Sequence, residues 1–197
     1  MAKNWKIRTD LSIEVCGHTL FRIECTQDFK EIKAGTLGGY IEKEENLDGN
    51  AWVSGNALVY GDAQVYGDAQ VSGNAWVSGN ALVYGDAQVS DDAQVFGNAR
   101  VYGDAKVCGD AKVYGDKITN KDDICYISNR YYNITITPLH IKIGCQYHAQ
   151  ESWWNFTDEQ IEKMDGESAL NFWKIWKEPL KQICAAMKKE KGEKDVK

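Results

Sequence analysis

Residues 47–116 read LDGNAWVSGNALVYGDAQVYGDAQVSGNAWVSGNALVYGDAQVSDDAQVFGNARVYGDAKVCGDAKVYGD. The unit Val-x-Gly-(Asn/Asp)-Ala-x recurs here every six residues, with valines from Val53 through Val113 and alanines from Ala51 through Ala111. A short fixed period of this kind is typical of a solenoid, in which each repeat stacks on its neighbours. This stretch therefore predicts the fold of the middle third of the chain.

Each unit contains a short strand followed by a corner. In the segment Ala-x-Val-x the side chains alternate, so Ala and Val point to one face of the strand and the two x residues point to the other. The pair Gly-(Asn/Asp) suits a tight corner, because Gly adopts positive φ freely and Asn and Asp tolerate it best among the other residues. We therefore expect Ala and Val to form the core and the x residues to face outward.

The unit resembles the hexapeptide repeat of left-handed parallel β-helices, which has an aliphatic residue at its first position and a small residue at its fifth. In that family three units make one triangular coil, so the resemblance implies a mainly β protein with a left-handed parallel β-helix of about four coils. The wider chain, with GTLGGYIE at residues 35–42 leading in, is similar to uncharacterised hexapeptide-repeat proteins carried by phages and prophages. This second resemblance implies a phage context.

The segment before the repeat predicts a small β cap. Residues 12–16 and 19–24 alternate apolar with polar side chains around Gly17-His18, which is the pattern of a β-hairpin. Ile41 already stands in the six-residue register of the repeat. We therefore assign residues 1–40 to an N-terminal β cap and residues 41–116 to the β-helix.

The period stops after Asp116, and a mixed region follows. Residues 124–128, 131–137 and 140–145 indicate three short strands, separated by turn residues. This pattern predicts a small β meander over residues 117–150. Because the ends of a solenoid must be covered, both flanking segments are candidates for that task.

Residues 151–197 are predicted to be helical, so that the C-terminal region is an α+β domain. The segment Thr157 to Gln160 has the sequence of a capping box, in which the two side chains satisfy free N–H groups at a helix start. An apolar seam follows and is interrupted by Pro179; its members are Ala169, Trp173, Trp176, Leu180, Ile183 and Met187. We expect this seam to pack on the chain's own strands, and the alternative is that it joins subunits.

Composition and charge exclude several classes of protein. The net charge is -6, and residues 47–116 hold nine aspartates against Arg100, Lys106 and Lys112, so we expect no nucleic acid polymer as a partner. No stretch approaches the length of a membrane span, and no leader is visible, so we expect a cytoplasmic protein, in the host bacterial cytoplasm if it is phage-encoded. The six cysteines are scattered without a Cys-x-x-Cys pair, and we expect neither a metal nor a cofactor.

The outward positions carry aromatic residues in columns. If three hexads close a coil, residues eighteen apart lie above one another, and aromatic columns are unusual on a purely solvated wall. One interpretation is that neighbouring subunits cover them in a homotrimer. The other is that they line a cleft for a flat ligand such as a nucleotide, by stacking and cation–π contact. The candidate ligand-binding residues are Tyr66, Tyr84, Tyr102, Arg100, Phe96, Lys106, Lys112, Tyr114 and Trp76.

One internal copy bears on where such a site lies. Residues 49–65 recur identically as residues 73–89, an offset of four hexads, which is not a whole number of three-hexad coils. The copied segment therefore lands on a different face of the helix. A ligand site is accordingly expected at residues 96–114 or in the flanking domains.

The residues of known enzymes with this fold are missing from the repeat. Acyltransferases of the resembled family use a His on a protruding loop, and carbonic anhydrases built on the fold need three His ligands. The histidines here are His18, His140 and His148, all outside the repeat, and no loop interrupts the hexads. We therefore predict no catalytic residues in the β-helix.

Together these observations predict a non-enzymatic, phage-type binding protein. As a hypothesis, it counters host defence by sequestering a nucleotide-derived signal, or by blocking a host defence protein, at sites between the subunits of a trimer. One alternative is an acyltransferase-like enzyme that uses His140 or His148. Another alternative is a structural or interaction rod, in which the repeat is a spacer between caps.

Overall fold

The computed structural model describes residues 3–194 and the side chains of residues 3–188. The chain divides into two compact units, Met1–Lys121 and Asp122–Lys197. The first two residues of the predicted cap and the last three of the predicted helical segment lie outside the described residues. Each unit is described by itself below.

The first unit begins with three strands, β1 (Trp5–Val15), β2 (His18–Cys25) and β3 (Leu37–Ile41). The strands β1 and β2 pair antiparallel around a tight turn, in which Cys16 and Gly17 have φ of 51° and 83°. This is the hairpin that the sequence predicts. Its third strand, β3, pairs antiparallel with β2 and parallel with a strand of the repeat, so the cap and the solenoid share one sheet.

The repeat region forms a series of very short strands, one for each hexad. In chain order they are β4 (Trp52–Val53), β5 (Leu58–Val59), β6 (Gln64–Val65), β7 (Gln70–Val71), β8 (Trp76–Val77), β9 (Leu82–Val83), β10 (Gln88–Val89), β11 (Gln94–Phe96), β12 (Arg100–Val101), β13 (Lys106–Val107), β14 (Lys112–Tyr114) and β15 (Lys117–Ile118).

Each inner strand pairs in parallel with the strand three hexads before it and with the strand three hexads after it. One coil therefore consists of three hexads. Val95, for example, lies in register with Val77 on one side and Val113 on the other. Three sheets result, with strand orders β1-β2-β3-β5-β8-β11-β14, β13-β10-β7-β4 and β15-β12-β9-β6. The predicted β-solenoid of about four coils is confirmed, whereas the left-handed sense of its winding stays a prediction.

Backbone hydrogen bonds and small side chains hold the coils together. Each rung donates to the next, as in the bond from Trp52 N to Ala69 O at 3.0 Å. The repeat valines and alanines are almost fully buried, as the alternation predicts. Gly adopts positive φ at the corners, Asp91 does so in its place at one of them, and the polar side chains that follow pair between coils, with Asn74 donating to Asp92 at 3.1 Å. The Gly-(Asn/Asp) pair thus supplies both the turn and a polar ladder along it.

The parallel ladder extends slightly beyond the perfect period. Ile41 pairs in register with Val59, so the first coil begins where residues 41–116 were predicted to begin. At the other end Ile118 lies in register with Val101. These two residues are seventeen rather than eighteen positions apart, because the last coil lacks one residue. The solenoid therefore continues two residues past Asp116.

A buried asparagine closes the start of the solenoid. Asn46 is fully buried, and its amide nitrogen donates to Gly61 O at 3.1 Å and Ala63 O at 2.8 Å. Its side-chain oxygen accepts from the backbone N–H groups of Lys43 and Glu42. Since each of these polar atoms is satisfied, Asn46 can be buried at the position before Leu47, where it joins the backbone of residues 42–43 to that of residues 61–63.

The second unit is an antiparallel sheet covered by helices. Its strands are β16 (Cys125–Ile127), β17 (Ile134–Ile136), β18 (His140–Ile143) and β19 (Gln146–Ala149), paired in that order. The helices are α1 (Gln150–Asn155) and α2 (Asp158–Lys194), and α2 is broken at Asp165 and Gly166. The sequence indicates only three of these strands. The fourth was missed because Gln-Tyr-His-Ala lacks an apolar alternation.

The helical seam packs against this sheet within its own unit. Trp173 and Leu180 join Ile134, Ile136 and Ile141 in one buried cluster. The predicted capping box is present, with Thr157 N donating to Gln160 Oε1 at 2.9 Å and Gln160 N donating to Thr157 Oγ1 at 3.3 Å. The expectation that the seam covers the chain's own strands is confirmed.

Candidate functional site

The most regular feature of the outer surface is a column of three tyrosines, here called the tyrosine ladder. Tyr66, Tyr84 and Tyr102 follow the valines of β6, β9 and β12, and each is half-buried. The rings of Tyr66 and Tyr84 lie 4.8 Å apart and 2° from parallel, and those of Tyr84 and Tyr102 lie 4.9 Å apart and 5° from parallel. The distance between the rings equals the distance between neighbouring strands, because each ring is carried by the next strand of the same sheet.

Arg100 belongs to the same sheet as the ladder. It lies on β12 in register with Leu82 on one side and Lys117 on the other. Burial raises the pKa of the Tyr66 hydroxyl, Tyr84 raises it further, and the charge of Arg100 lowers it. The predicted association of the three tyrosines with one cation on a single face is therefore present in the structure.

The other predicted binding residues lie on the remaining faces. Trp76, Phe96, Lys112 and Tyr114 stand on the seven-stranded sheet, where Phe96 and Tyr114 contact at 5.1 Å and 46°. Lys106 stands on the remaining sheet of the solenoid, on β13 in register with Gln88. Within one subunit the nine residues thus form three separate groups, because successive hexads turn the corner of the triangle.

The spacing of the ladder restricts how a flat ligand can bind. An aromatic ring inserted between two others needs contacts of about 3.5 Å on both of its faces, or about 7 Å between the outer rings. The tyrosines are closer than 5 Å to each other, so no ring fits between them. A planar ligand must therefore stack on an end of the ladder or lie along its outer edge.

The two ends of the ladder differ in charge. Beside Tyr66 opens a cavity of about 530 Å³ that is also lined by Glu44, Glu45 and Asp48, with Lys3 paired to Glu44 at 2.8 Å. The three carboxylates of Glu44, Glu45 and Asp48 would repel an anionic ligand. The Tyr66 end is accordingly unsuited to phosphate groups.

At the Tyr102 end the residues before each Val or Ile are all basic. Arg100, Lys106, Lys112 and Lys117 occupy these positions in four successive strands, where earlier strands carry Gln, Leu or Trp. Of these four, Arg100 and Lys117 belong to the ladder's own sheet and are exposed. This end combines an aromatic ring with two cations, which is the chemistry that recognises a nucleotide.

A second constellation was missed by the sequence analysis. His18 Nδ1 lies 2.8 Å from Glu42 Oε1, while Glu42 Oε2 accepts the Gly61 backbone N–H at 2.7 Å. Burial would raise the pKa of Glu42, but the bonds from His18 and Gly61 outweigh it and lower that pKa. The His18 ring also contacts Tyr60 at 5.1 Å. Since these residues are far apart in sequence, no local spacing signals them.

The histidines considered for an enzyme lie in the second unit. His148 is half-buried between Trp153 at 5.3 Å and Phe156 at 5.0 Å, and burial lowers its pKa. Its Nε2 atom lies 3.2 Å from the side-chain oxygen of Gln146. His140 stacks on Tyr147 at 4.8 Å and 22°. Both imidazoles thus have aromatic packing partners.

Within the described residues, no group of three or more His, Cys, Asp or Glu side chains is placed to hold a metal ion. In the same part of the chain, no helix combines the length and apolar character needed to cross a bilayer.

The repeats match a known family model. Residues 51–67, 63–79, 69–85, 75–91 and 93–109 each match the YdcK β-solenoid repeat. All five matches fall inside the solenoid, so they describe the repeat and not the flanking segments. A comparison with curated proteins finds no match. The chain is therefore a β-solenoid repeat protein by both its repeats and its fold.

Proposed function

We propose that this chain is a non-enzymatic binding protein that holds a nucleotide-type ligand on the Tyr102 end of its tyrosine ladder. The base would lie against the exposed edge of the Tyr102 ring, since the next strand places Thr119 over its face, and the phosphates would pair with Arg100 and Lys117. The observation that carries the proposal is the parallel stack of Tyr66, Tyr84 and Tyr102 beside Arg100. Stacking on one aromatic ring contributes about 1–3 kcal/mol per base, and Arg pairs with phosphate through two parallel hydrogen bonds.

In its finer form the proposal places the ligand between the subunits of a homotrimer. The ladder is half-buried in a single chain, and a neighbouring subunit packed on this face would cover the rest of the rings. Such a groove would bring Arg100 and Lys117 against groups of another face, where Lys106 or Lys112 stands. A pocket closed in this way excludes water and strengthens each ionic contact.

The biological role we propose is counter-defence in a phage. This part rests on the resemblance of the lead-in segment, residues 35–42, and the repeat to phage-borne hexapeptide-repeat proteins. A protein of this kind would sequester a nucleotide-derived signal of the host, or block a host defence protein. Sequestration needs affinity and abundance but no turnover, which agrees with a binding face built from Tyr and Arg side chains.

A thermal-shift assay with a panel of linear and cyclic nucleotides tests the binding step. A ligand at one hundred times its Kd stabilises the native state by about 2.7 kcal/mol, which is readily detected as a higher melting temperature. The variant Arg100→Gln should lose most of this shift. Lys33→Gln is the control, because it removes a positive charge from an exposed side chain of the same unit outside the solenoid.

The assay has outcomes that would reject the proposal. If no nucleotide stabilises the wild-type protein, the nucleotide site is wrong. If Lys33→Gln weakens binding as much as Arg100→Gln, the loss follows overall charge and the ladder does not define the site. A native mass measurement accompanies the assay, and a monomeric mass would remove the inter-subunit pocket while leaving the Tyr102 site testable.

An interaction rod is the second candidate function. The ladder stacks on itself at the spacing of the strands, so it stabilises the wall of the solenoid whether or not a ligand binds. If the nucleotide panel fails and the trimer is present, this rod becomes the better description. Acyl-CoA turnover that is abolished by His140→Ala or His148→Ala would instead support the enzymatic alternative.

A further inference from the structure

The second unit contains a small cavity between its sheet and the break in α2. The volume is about 50 Å³, whereas about 10–15 Å³ is enough to hold one water. An apolar cavity of about 150 Å³ holds one benzene, so this cavity has room for about two methyl-sized groups. Its walls come from the β18–β19 turn, from α1 and from both halves of α2.

Four aromatic side chains line this cavity: Tyr132, Trp153, Phe172 and Trp173. The rings of Tyr132 and Phe172 stand at 84° with centroids 4.9 Å apart, and those of Trp153 and Trp173 are tilted by 38° at 5.3 Å. Because the rings are inclined to each other, they enclose the space from different directions. We call this group the aromatic cage.

One carboxylate stands at the edge of the cage. Among the described residues that line the cavity, Asp165 is the one with a full charge. Its Oδ2 accepts a hydrogen bond from the Tyr132 hydroxyl at 2.7 Å. Asp165 is exposed, so it is available to a group that enters from solvent.

The backbone on both sides of the cavity departs from regular structure to form it. At Asp165 and Gly166 the helix α2 is interrupted, and Gly166 has φ of 64°. In the β18–β19 turn Gly144 has φ of 56°, and a Cβ there would lie 2.9 Å from Tyr132 Cδ1. Gly144 thus allows Tyr132 to pack against the turn and reach Asp165.

We propose that the aromatic cage binds a small alkylated ammonium group, such as the trimethylammonium head of choline. One or two of its methyl groups would fill the cavity, and the nitrogen would stay at the edge beside the exposed Asp165 carboxylate. Aromatic faces attract a desolvated cation through their quadrupoles, and the Asp165 carboxylate supplies the opposite charge. A neutral ligand of equal shape would gain only the apolar contacts.

The same aromatic cluster already attracts cations on its outer side. Lys177 Nζ lies 5.5 Å from the centre of the Trp173 ring, and Lys181 Nζ lies 6.0 Å from the centre of the Trp154 ring. Both lysines are supplied by α2 itself. The cavity on the inner side presents a similar set of rings without a lysine among its lining residues, which leaves that place for a ligand's cation.

Titration of the full-length protein with choline, followed by tryptophan fluorescence, tests this proposal. The matched ligand is 3,3-dimethylbutan-1-ol, which replaces the nitrogen of choline with carbon and so keeps the shape without the charge. We expect saturable binding of choline and binding of the neutral alcohol that is about tenfold weaker or worse. The signal is expected because Trp153 and Trp173 line the site.

Two variants locate the charge that matters. Asp165→Asn keeps the size of the side chain and should weaken choline binding about tenfold while leaving the neutral alcohol unchanged. Glu162→Gln removes an exposed carboxylate from the preceding turn of α2 and should leave both affinities unchanged. Near-ultraviolet circular dichroism checks that both variants keep the wild-type aromatic packing.

Three results would overturn the proposal. The first is the absence of saturable choline binding in the millimolar range. The second is equal binding of choline and the neutral alcohol by the wild-type protein, which would make the cavity a plain apolar site. The third is unchanged choline affinity in a correctly folded Asp165→Asn variant. None of these results bears on the nucleotide site, which lies in the other unit.

Discussion

Inside the coils of the solenoid every inward position from Ala51 to Val113 is Ala or Val, whereas the core of the second unit is built from Trp153, Phe172 and Trp173. The solenoid repeats one small contact many times, and each coil touches only the coils above and below. The second unit has one central cluster, to which three strands and two helices contribute. The solenoid therefore spreads its buried apolar surface evenly along the coils, whereas the second unit concentrates it in one cluster.

This difference predicts how far the destabilising effect of a substitution extends within each unit. In a solenoid, stability is approximately a sum of repeat terms and nearest-neighbour terms, so the loss of one contact should stay near its coil. In a single core, one large side chain contacts most elements, so its removal should loosen the whole unit. The predictions below test this contrast, from the largest expected effect to the smallest.

Replacement of Trp173 by Ala should destabilise the second unit by about 3–5 kcal/mol, the usual cost of deleting a buried aromatic side chain. Trp173 is 3% exposed and contacts both Trp153 and Trp154. Hydrogen exchange measured by mass spectrometry should show faster exchange throughout residues 122–188 and unchanged exchange in the coils. Ile175→Ala is the matched control, because that side chain is 69% exposed on the same helix. Equal loss of protection in the solenoid would contradict the contrast.

Replacement of Val89 by Ala should destabilise the solenoid by about 2–3 kcal/mol, from two lost methyl groups and the cavity that remains. Val89 is fully buried and pairs with Val71 and Val107. Faster hydrogen exchange should be confined to the rungs of these three valines. The exposed neighbour Gln88→Ala serves as the control and should have little effect. Exchange that accelerates equally in all coils would show that the solenoid is as cooperative as a single core.

Two glycine substitutions separate backbone strain from contact between coils. Gly73 and Gly115 have nearly equal positive φ, 69° and 74°. A Cβ on Gly73 would lie 2.9 Å from Asp91 N, whereas a Cβ on Gly115 meets nothing within 4 Å. Gly115→Ala should therefore cost about 1 kcal/mol for its left-handed backbone, and Gly73→Ala about twice as much. Thermal denaturation measures both, and equal costs would mean that the stacking of corners adds nothing.

The smallest expected effect is a pH dependence at the start of the solenoid. The pKa of Glu42 is lowered in the folded state, so its stabilising contribution is complete above the ordinary carboxyl pKa of about 4.3 and is lost as the pH falls through the folded pKa. Glu42→Gln should flatten this acid dependence in thermal denaturation curves. The control Glu45→Gln removes an exposed carboxylate nearby and should leave the dependence intact, and a flattened curve in that control would reject the assignment to Glu42.

The contrast between the units also explains what the sequence could predict. The same six-residue pattern recurs many times in the repeat. The three-hexad coil, the inward Ala and Val and the position of Ile41 therefore follow directly from the spacing. The hairpin around Gly17 and the capping box at Thr157 are local signals and were also predictable. In the second unit no contact is repeated in the sequence. Its fourth strand, Gln146–Ala149, also lacks the apolar alternation that indicates a strand.

The sites show the same division. The tyrosine ladder could be predicted because its members are eighteen residues apart in a uniform coil. The pair formed by His18 and Glu42, and the contact of Tyr132 with Asp165, join residues from distant segments without a repeating spacing. Such pairs are fixed by the tertiary fold, so one sequence does not contain a pattern that identifies them.

The most direct test of the proposed function is nuclear magnetic resonance of the protein labelled on its tyrosine rings, titrated with the nucleotide that gives the largest thermal shift. A base that lies against Tyr102 should shift the Tyr102 ring signals most, Tyr84 less and Tyr66 least, since ring-current effects fall with distance. Tyr60, which lies on another sheet, should not change. Shifts that are largest at Tyr66, or that are confined to Tyr131 and Tyr132 of the second unit, would contradict a nucleotide site at the Tyr102 end.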